Sequence, residues 1–199
     1  MIQLTRRTAA FALSAALAFG ASVACAADAA PRVKFATTLG DFVVEVYPDK
    51  APKTVDNFLQ YVKAKHYDGT IFHRVIGSFM VQGGGYDVSY YQRPQRPPVV
   101  HEGAAIIANG GPKNGVGTIA MARTNDPNSA TSQFFINVVD NSRLDPTPSS
   151  PGYVAFGKVV SGMDVVNKIR AVPTGAGGPF PSDVPKTPVV IQSATIVSP

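Results

Sequence analysis

The stretch FHRVIGSFMVQGGG, Phe72 to Gly85, decides how this chain is interpreted. Its apolar residues are interrupted by Gly77-Ser78, which predicts two short strands, Ile71 to Ile76 and Phe79 to Gln82, joined by a turn. Strand alternation predicts that Arg74 shares a face with the apolar residues two positions to either side. An arginine in that position either extends past its apolar neighbours to solvent or is held partly buried by partners.

The sequence on both sides of this stretch is typical of a mostly β chain. Val33 to Thr37 and Phe42 to Val46 flank Leu39-Gly40-Asp41, which predicts a β-hairpin. Further strand-like runs follow at Thr118 to Ala122, Gln133 to Val138, Tyr153 to Val159, Val189 to Gln192 and Ala194 to Val197. Many short strands without strand-helix alternation favour an antiparallel barrel or sandwich.

Two segments have helical periodicity. Pro52 suits a first helical turn, and the apolar residues after it recur at i, i+3, i+4 and i+7: Val55, Phe58, Leu59 and Val62. Gly162 to Ile169 predicts a second, shorter helix. Residues 86 to 117 and Pro173 to Pro188 are rich in proline and glycine, so we expect surface loops there.

The first 26 residues have the pattern of a secretory signal peptide. Arg6 and Arg7 precede the uncharged apolar run Ala9 to Val23, and Ala24-Cys25-Ala26 is a small-x-small cleavage pattern. The run is too short to predict a membrane span. We therefore predict a signal peptide at 1–26, one domain at 27–199 and a periplasmic location.

Two other export routes are less well supported by the same residues. A twin-arginine signal would use Arg6 and Arg7, but Thr-Ala-Ala-Phe follows them. Lipid attachment would use Cys25, but Ser22 stands three residues before it where leucine is expected.

Composition excludes several functional classes. With 45% hydrophobic and 16% charged residues among 199, the chain suits one globular domain. Cleavage after Ala26 would remove the lone cysteine, so no disulfide or thiol nucleophile is expected. It would also lower the formal charge of +5 by two, and the scattered basic residues predict no nucleic-acid binding.

The usual catalytic constellations are absent from the sequence pattern. Ser78 lacks the second glycine of a nucleophile elbow, which argues against a hydrolase of that type. His66, His73 and His101 show no metal-ligand spacing, and as single residues they are more often packing or loop residues. No metal or other cofactor is therefore predicted.

Two later segments complete a pattern with the opening stretch. They are GTIAMARTNDPNSATSQFFIN, Gly117 to Asn137, and SRLDPTPSSPGYVAFGKV, Ser142 to Val159. Together the three segments resemble cyclophilin-type peptidyl-prolyl cis-trans isomerases, whose motif is Phe-His-Arg, two aliphatics, Pro-Gly, Phe-Met, any residue and Gln-Gly-Gly. The match keeps its order from about Lys34 to Val197. It implies an eight-stranded antiparallel β-barrel capped by two α-helices.

The resemblance also implies an activity and a site. The expected activity is rotation about Xaa-Pro bonds in proline-containing polypeptides, without a cofactor. Arg74 matches the residue that stabilises the twisted bond, and Gln82 matches one that holds substrate and orients the arginine. The matching substrate-binding residues are Phe79, Met80, Ala122, Arg123, Gln133, Phe135, Leu144 and Tyr153. Without the resemblance, Phe79, Phe135 and Leu144 would be interpreted as ordinary core residues.

The chain departs from the family pattern in three places. Gly77-Ser78 replaces Pro-Gly, which predicts a looser turn. Arg143 stands where cyclosporin-sensitive members have tryptophan, and the chain has no tryptophan, so weak cyclosporin binding is expected. Tyr153 takes the place of a histidine at the pocket edge.

The sequence thus predicts a monomeric periplasmic isomerase that assists the folding of exported proteins. A module that holds proline-containing segments without turnover is the alternative from another class. The joint presence of Arg74 and Gln82 argues against it, because simple binding requires neither residue.

Overall fold

Ten β-strands account for most of the regular structure in the computed structural model, which describes residues 30–197. The predicted signal peptide lies outside the described residues. The strands are β1 Arg32–Thr37, β2 Gly40–Val46, β3 Thr70–Ile76, β4 Met80–Asp87, β5 Thr118–Met121, β6 Phe134–Asn137, β7 Ala155–Ser161, β8 Thr174–Gly177, β9 Phe180–Pro185 and β10 Val190–Val197. Eight of them close into an antiparallel barrel in the order β1-β10-β3-β4-β6-β5-β7-β2. The predicted eight-stranded barrel is confirmed.

Two main helices pack against the barrel, as predicted. Helix α1 spans Pro52–Lys63 and contacts β10, and Val55, Phe58 and Val62 on its predicted apolar face are buried. The helix Met163–Arg170 packs on β2, β3 and β4 through Val165, Val166 and Ile169. Its apolar spacing places these side chains on one face, which shields them from water and stabilises the helix.

Two segments expected to be loops contain regular structure. Gly103–Ala108 forms a six-residue helix, α2, so that the helix Met163–Arg170 is α3 in chain order. Strands β8 and β9 form a separate two-stranded hairpin inside the segment Pro173 to Pro188. Proline and glycine content alone did not indicate either element. Both are closed by local hydrogen bonds and also pack on the rest of the protein, α2 through Ile106 and the hairpin through Phe180.

The end of the chain forms one strand where two were predicted. The runs Val189 to Gln192 and Ala194 to Val197 both belong to β10. Its pairing with β1 shifts register between Ala36 and Thr37, which face Ser193 and Ile191. An irregularity of this kind interrupts the apolar pattern without ending the strand.

Aromatic side chains fill the barrel interior. Phe35 stacks on Phe42 with ring centroids 5.0 Å apart, and Phe134 contacts Phe35 at 5.3 Å and Tyr67 at 5.5 Å. Phe58 of α1 lies 5.1 Å from Phe156. All of these residues are at most 1% exposed, so the interior is a packed core and not a channel.

A bulge in β3 overturns the predicted alternation around Arg74. Phe72 pairs with Gly83 and Arg74 pairs with Gln82, so β3 uses one more residue here than β4. Phe72 points into the aromatic core, whereas Arg74 is exposed on the outside. The expectation that Phe72 and Arg74 share a face is therefore wrong, because His73 is the extra residue between them.

Helix α1 is capped by a residue far away in the chain. Its N-cap residue, Ala51, offers no side-chain acceptor. Instead the Glu102 carboxylate, 7% exposed, accepts hydrogen bonds from the backbone N–H groups of Lys53 and Thr54 at 3.0 and 2.7 Å. The Thr54 hydroxyl donates a third bond at 2.7 Å. A carboxylate at this position satisfies free N–H groups and interacts favourably with the helix dipole.

Replacement of Glu102 by alanine should lower the free energy of unfolding by about 2–3 kcal/mol, because buried donors at the start of α1 lose their acceptor. Urea denaturation followed by circular dichroism measures the change. Asp56→Ala is the control, since it removes an exposed carboxylate from the same helix and should change stability by less than about 0.5 kcal/mol. Equal effects of the two substitutions would contradict this role for Glu102.

Candidate functional site

A second, smaller apolar cluster lies on the outer face of the barrel. Its buried members are Met80, Ala120, Phe135 and Ala155. Ile76, Phe79, Ala122, Leu144 and Tyr153 pack around them and are partly buried. These side chains alternate with core residues along the same strands, as Phe134 and Phe135 do on β6. The barrel wall therefore separates a closed core from an apolar surface that is open on one side.

Strand register aligns the candidate catalytic residues in one row on this outer surface. Arg74 of β3 pairs with Gln82 of β4, Gln82 with Phe135 of β6, and Phe135 with Ala120 of β5. Directly paired residues of antiparallel strands have their Cβ atoms about 4.5–5.5 Å apart. The cation, the amide and the aromatic ring are thus neighbours because of the register, and the pairing of Arg74 with Gln82 depends on the β3 bulge.

All ten residues predicted for the site line a single cavity of about 510 Å³. They are Arg74, Phe79, Met80, Gln82, Ala122, Arg123, Gln133, Phe135, Leu144 and Tyr153. Residues up to 79 positions apart in the chain are brought together here by the barrel. A cavity of this size with an apolar floor and a few polar groups at its edge is typical of a small-ligand site.

The Gln82 side chain is oriented by another amide. Its Nε2 donates a hydrogen bond to Oε1 of Gln133 at 3.0 Å. Gln133 in turn lies directly over Gly85, where a Cβ atom would come within 2.6 Å of the Gln133 side chain. Within residues 30–197 the hydrogen bonds of Gln82 do not include Arg74, so the arginine guanidinium is left exposed at the cavity mouth.

Arg123 is fixed by its own contacts at the other end of the cavity. Its Nε and Nη2 donate to the Gly152 carbonyl at 3.1 and 2.8 Å. The guanidinium carbon also lies 4.5 Å from the centre of the Tyr153 ring, a cation–π contact. Tyr153 meets Phe135 edge-on at 5.6 Å. These contacts restrain the backbone of Ala122 and Arg123 at the rim of the cavity, where it could contact a bound chain.

A buried amide network holds the loop residues that complete the apolar wall. Asn141 donates to the Phe79 carbonyl at 2.9 Å and to Oδ1 of Asn137 at 2.8 Å. The backbone N–H of Leu144 bonds to the Asn141 carbonyl at 2.7 Å, and Tyr153 N–H bonds to the Leu144 carbonyl at 2.8 Å. Because the asparagines are almost fully buried, these bonds are shielded from water and position the wall rigidly.

The turn at Gly77-Ser78 is closed by a backbone hydrogen bond. The Phe79 N–H donates to the Ile76 carbonyl at 2.8 Å. Ile76 and Met80 are directly paired on either side of it. Phe79 and Met80 therefore keep their places on the cavity wall although the turn lacks proline.

One wall of the cavity was missed by sequence reasoning. It consists of His73, Tyr86, Phe180, Pro181, Ser182 and Asp183. His73 was expected to be a packing residue, and it is 3% exposed but lines the cavity. The last four residues belong to β9, and nothing in their local sequence indicated that they would return to the site.

His73 is held neutral by its surroundings. The pKa of the imidazole is lowered from 6.5 to about 4 by burial and, to a smaller extent, by the positive charge of Arg74. Its Nδ1 atom has no hydrogen-bond partner among residues 30–197. The ring contacts Tyr86 at 4.8 Å and Phe180 at 5.4 Å between centroids, so its role is to join the hairpin to β3.

The depressed pKa of His73 makes stability depend on pH. His73 binds a proton below about pH 6.5 in the unfolded chain but only below about pH 4 in the folded chain. Its contribution to the free energy of unfolding is therefore complete above pH 6.5 and is lost as the pH falls from 6.5 to 4. The expected loss from His73 is up to about 3 kcal/mol. Urea denaturation from pH 7 to pH 4 should show it, and His73→Phe should flatten the curve. An unchanged slope in that variant would contradict the assignment.

Neither a metal cluster nor a membrane-spanning helix is found in the part of the chain that the structure describes. No group of three or more His, Cys, Asp or Glu side chains within residues 30–197 is arranged to hold a metal ion. No helix in the same range is long and apolar enough to cross a bilayer.

Comparisons with known proteins identify the family of this chain. Residues 32–196 match the family model "Cyclophilin type peptidyl-prolyl cis-trans isomerase/CLD". Peptidyl-prolyl cis-trans isomerase B of Escherichia coli K12 is 50% identical over 167 residues, which cover 82% of this chain and 98% of that protein. A peptidyl-prolyl cis-trans isomerase of Acinetobacter baylyi is 47% identical over 179 residues, 90% of this chain and 92% of that protein.

The fold is also similar to a solved structure. A cyclophilin-type isomerase of Cryptosporidium parvum, crystallised in the presence of the dipeptide Ala-Pro, aligns with a TM-score of 0.63 and 26% identity, covering 84% of this chain and 99% of that one. The family match spans the barrel and every strand that forms the site. This chain belongs to the cyclophilin-type peptidyl-prolyl cis-trans isomerase family.

Proposed function

We propose that this isomerase acts on Xaa-Pro bonds in exported proteins and that Arg74 is its principal catalytic residue. The observation that carries the proposal is the row formed by Arg74, Gln82 and Phe135 across the apolar cavity. It combines a cation with rigid donors, an oriented amide and an apolar surface. These are the groups that rotation about a prolyl bond requires.

The reaction needs neither a nucleophile nor a redox group. Resonance gives the peptide C–N bond double-bond character and a rotation barrier of about 18–20 kcal/mol. The two isomers before proline differ by only about 1 kcal/mol, yet they exchange over tens of seconds or longer. A catalyst must therefore bind the twisted amide more tightly than either planar form.

Arg74 meets this requirement through its guanidinium. When the bond twists, conjugation is lost and the lone pair of the prolyl nitrogen becomes available as a hydrogen-bond acceptor. A guanidinium N–H aimed at that nitrogen stabilises the twisted state more than the planar states. Arginine stays protonated at any relevant pH and presents several donors in a fixed plane, which lysine does not.

The apolar cavity holds the proline while the preceding residue turns. Met80 and Phe135 are 2% and 4% exposed and form its floor, with Phe79 and Leu144 at the sides. The preceding residue would lie along Ala122 and the backbone of Arg123, with Gln82 and Gln133 bonding the substrate backbone. The Ala-Pro dipeptide used with the Cryptosporidium parvum relative supports a ligand of this size.

The activity is tested by exchange NMR on a blocked Ala-Ala-Pro-Gln peptide. The purified protein should accelerate cis-trans exchange, and equal rates with and without it would disprove the proposed activity.

Cyclosporin should inhibit weakly, since the Arg143 guanidinium lies 5.2 Å from the Phe79 ring where sensitive members have tryptophan. Arg143→Trp should strengthen inhibition if that difference is responsible.

The same proposal places the protein in the periplasm as a monomer, after removal of residues 1–26. The sequence pattern Arg6-Arg7, Ala9 to Val23 and Ala24-Cys25-Ala26 supports export. N-terminal sequencing of protein recovered from the periplasmic fraction should begin at Ala27. Retention of Met1 in the cytoplasmic fraction would contradict export, and sedimentation velocity would reveal any oligomer.

A further inference from the structure

The hairpin β8–β9 is anchored to the barrel by aromatic contacts beside the site. Phe180 lies 5.4 Å from His73, 5.1 Å from Tyr86 and 6.3 Å from Tyr90 between ring centroids. Gly178 at its tip packs so closely on Tyr90 that a Cβ atom would lie 2.3 Å from Tyr90 Cγ. The hairpin is therefore a fixed wall of the cavity.

The wall presents one acidic side chain to the cavity. Asp183 lines it and is partly exposed, whereas the other fully charged lining residues in the described range are Arg74 and Arg123. The Asp183 carboxylate accepts a hydrogen bond from the Ser182 hydroxyl at 3.0 Å. The ion pairs within residues 30–197 do not include Asp183, so its charge is free to attract a bound cation.

The backbone at Asp183 holds the residue in an uncommon conformation. Its φ of +65° is in the left-handed region, which aspartate and asparagine tolerate better than other non-glycine residues. Val184 and Pro185 immediately after it are buried, which fixes the strand on the C-terminal side of Asp183. The backbone that carries the Asp183 carboxylate is thus fixed at the wall of the cavity.

Strand order gives the direction from the proline to this carboxylate. The outer surface runs from β5 through β6 and β4 to β3, and β9 packs against β3. In the proposed function the residue before proline lies at Ala122 and Arg123, just after β5, and the proline lies over Met80 and Phe135. A chain that continues in the same direction points the residue after proline toward β9, where a long side chain extends to Asp183.

We propose that Asp183 selects substrates with lysine or arginine immediately after the proline. The inference rests on the proposed function, because it uses the same cavity and the same direction of the bound chain. An ion pair at a partly exposed site is expected to change the rate ratio about two- to fivefold, and high salt should weaken it.

The test compares blocked peptides Ala-Ala-Pro-Lys and Ala-Ala-Pro-Gln by exchange NMR. The wild-type protein should show a kcat/KM about two- to fivefold higher for the lysine peptide at low salt. Asp183→Asn keeps the size and the left-handed backbone, and it should remove the preference. Asp49→Asn is the matched control, because it removes the same charge from an exposed turn outside the cavity.

Three outcomes decide between the inferences. Equal Lys-to-Gln ratios in wild type and Asp183→Asn, with the glutamine peptide accelerated, overturn only the specificity role of Asp183. No acceleration of either peptide by wild type overturns the proposed function itself. In Ala-Lys-Pro-Gln the lysine precedes proline, so a loss confined to this peptide in Asp183→Asn would overturn the assigned position.

Discussion

Arg74→Ala should lower kcat/KM for the Ala-Ala-Pro-Gln peptide by about 100- to 1,000-fold, the usual cost of removing one donor that acts on the transition state. The fold should persist, because the Arg74 side chain is exposed and the hydrogen bonds of Gln82 go to Gln133. Exchange NMR gives the rate, and circular dichroism with urea denaturation checks the fold.

Two variants make the Arg74 experiment specific. Arg74→Lys keeps the charge but loses the planar set of donors, so its rate should lie between those of wild type and alanine. Arg96→Ala removes an exposed arginine outside the cavity and should leave the rate within about twofold of wild type. A full rate in Arg74→Ala would exclude the catalytic role, and suppression of client aggregation that survives this change would favour a holding function.

Phe134→Ala should lower the free energy of unfolding by about 3–5 kcal/mol. Phe134 is fully buried, and its ring contacts those of Phe35, Phe58, Tyr67 and Phe72 at 5.3–6.2 Å. Its removal leaves a cavity in the aromatic core that rigid neighbours cannot fill. Urea denaturation measures the loss. If the alanine variant does not fold, Phe134→Leu is measured instead, and its loss should be smaller.

The neighbouring substitution Phe135→Ala is the matched comparison. Phe135 lies on the same strand but belongs to the outer cluster, so its truncation should cost less stability and raise KM through loss of the proline-binding floor. A larger stability loss from Phe135→Ala than from Phe134→Ala would contradict the division of β6 into a core face and a site face.

Local patterns predicted most elements of the fold. The spacing of Val55, Phe58 and Val62 identified α1, and short β-branched runs identified the barrel strands within a few residues. The contribution of Glu102 was not predictable, because the helix it caps begins 50 positions earlier in the chain. The hairpin β8–β9 was missed because its strands are rich in glycine and proline, and because Phe180 also packs on His73 and Tyr86, which are far away in the sequence.

The site was predicted by motif and not by alternation. Motif matching placed Arg74, Gln82 and Phe135 in one cavity, where the structure also finds them. Simple alternation placed Arg74 beside Phe72, since a bulge has no signal in the period of apolar residues. The wall that carries Asp183 lies outside the motif, which is why neither approach indicated it.

The bulge at His73 supplies an anchor for the hairpin and does not decide where Arg74 lies. With the bulge, Phe72 and Arg74 pair with two adjacent residues of β4. Deletion of His73 would make Phe72 and Arg74 adjacent, so ordinary alternation would still direct Phe72 into the core and Arg74 outward. The deletion would instead remove the ring that contacts Tyr86 and Phe180, so the hairpin would lose part of its attachment to the barrel. The extra residue therefore serves the far wall of the cavity and not the position of the arginine.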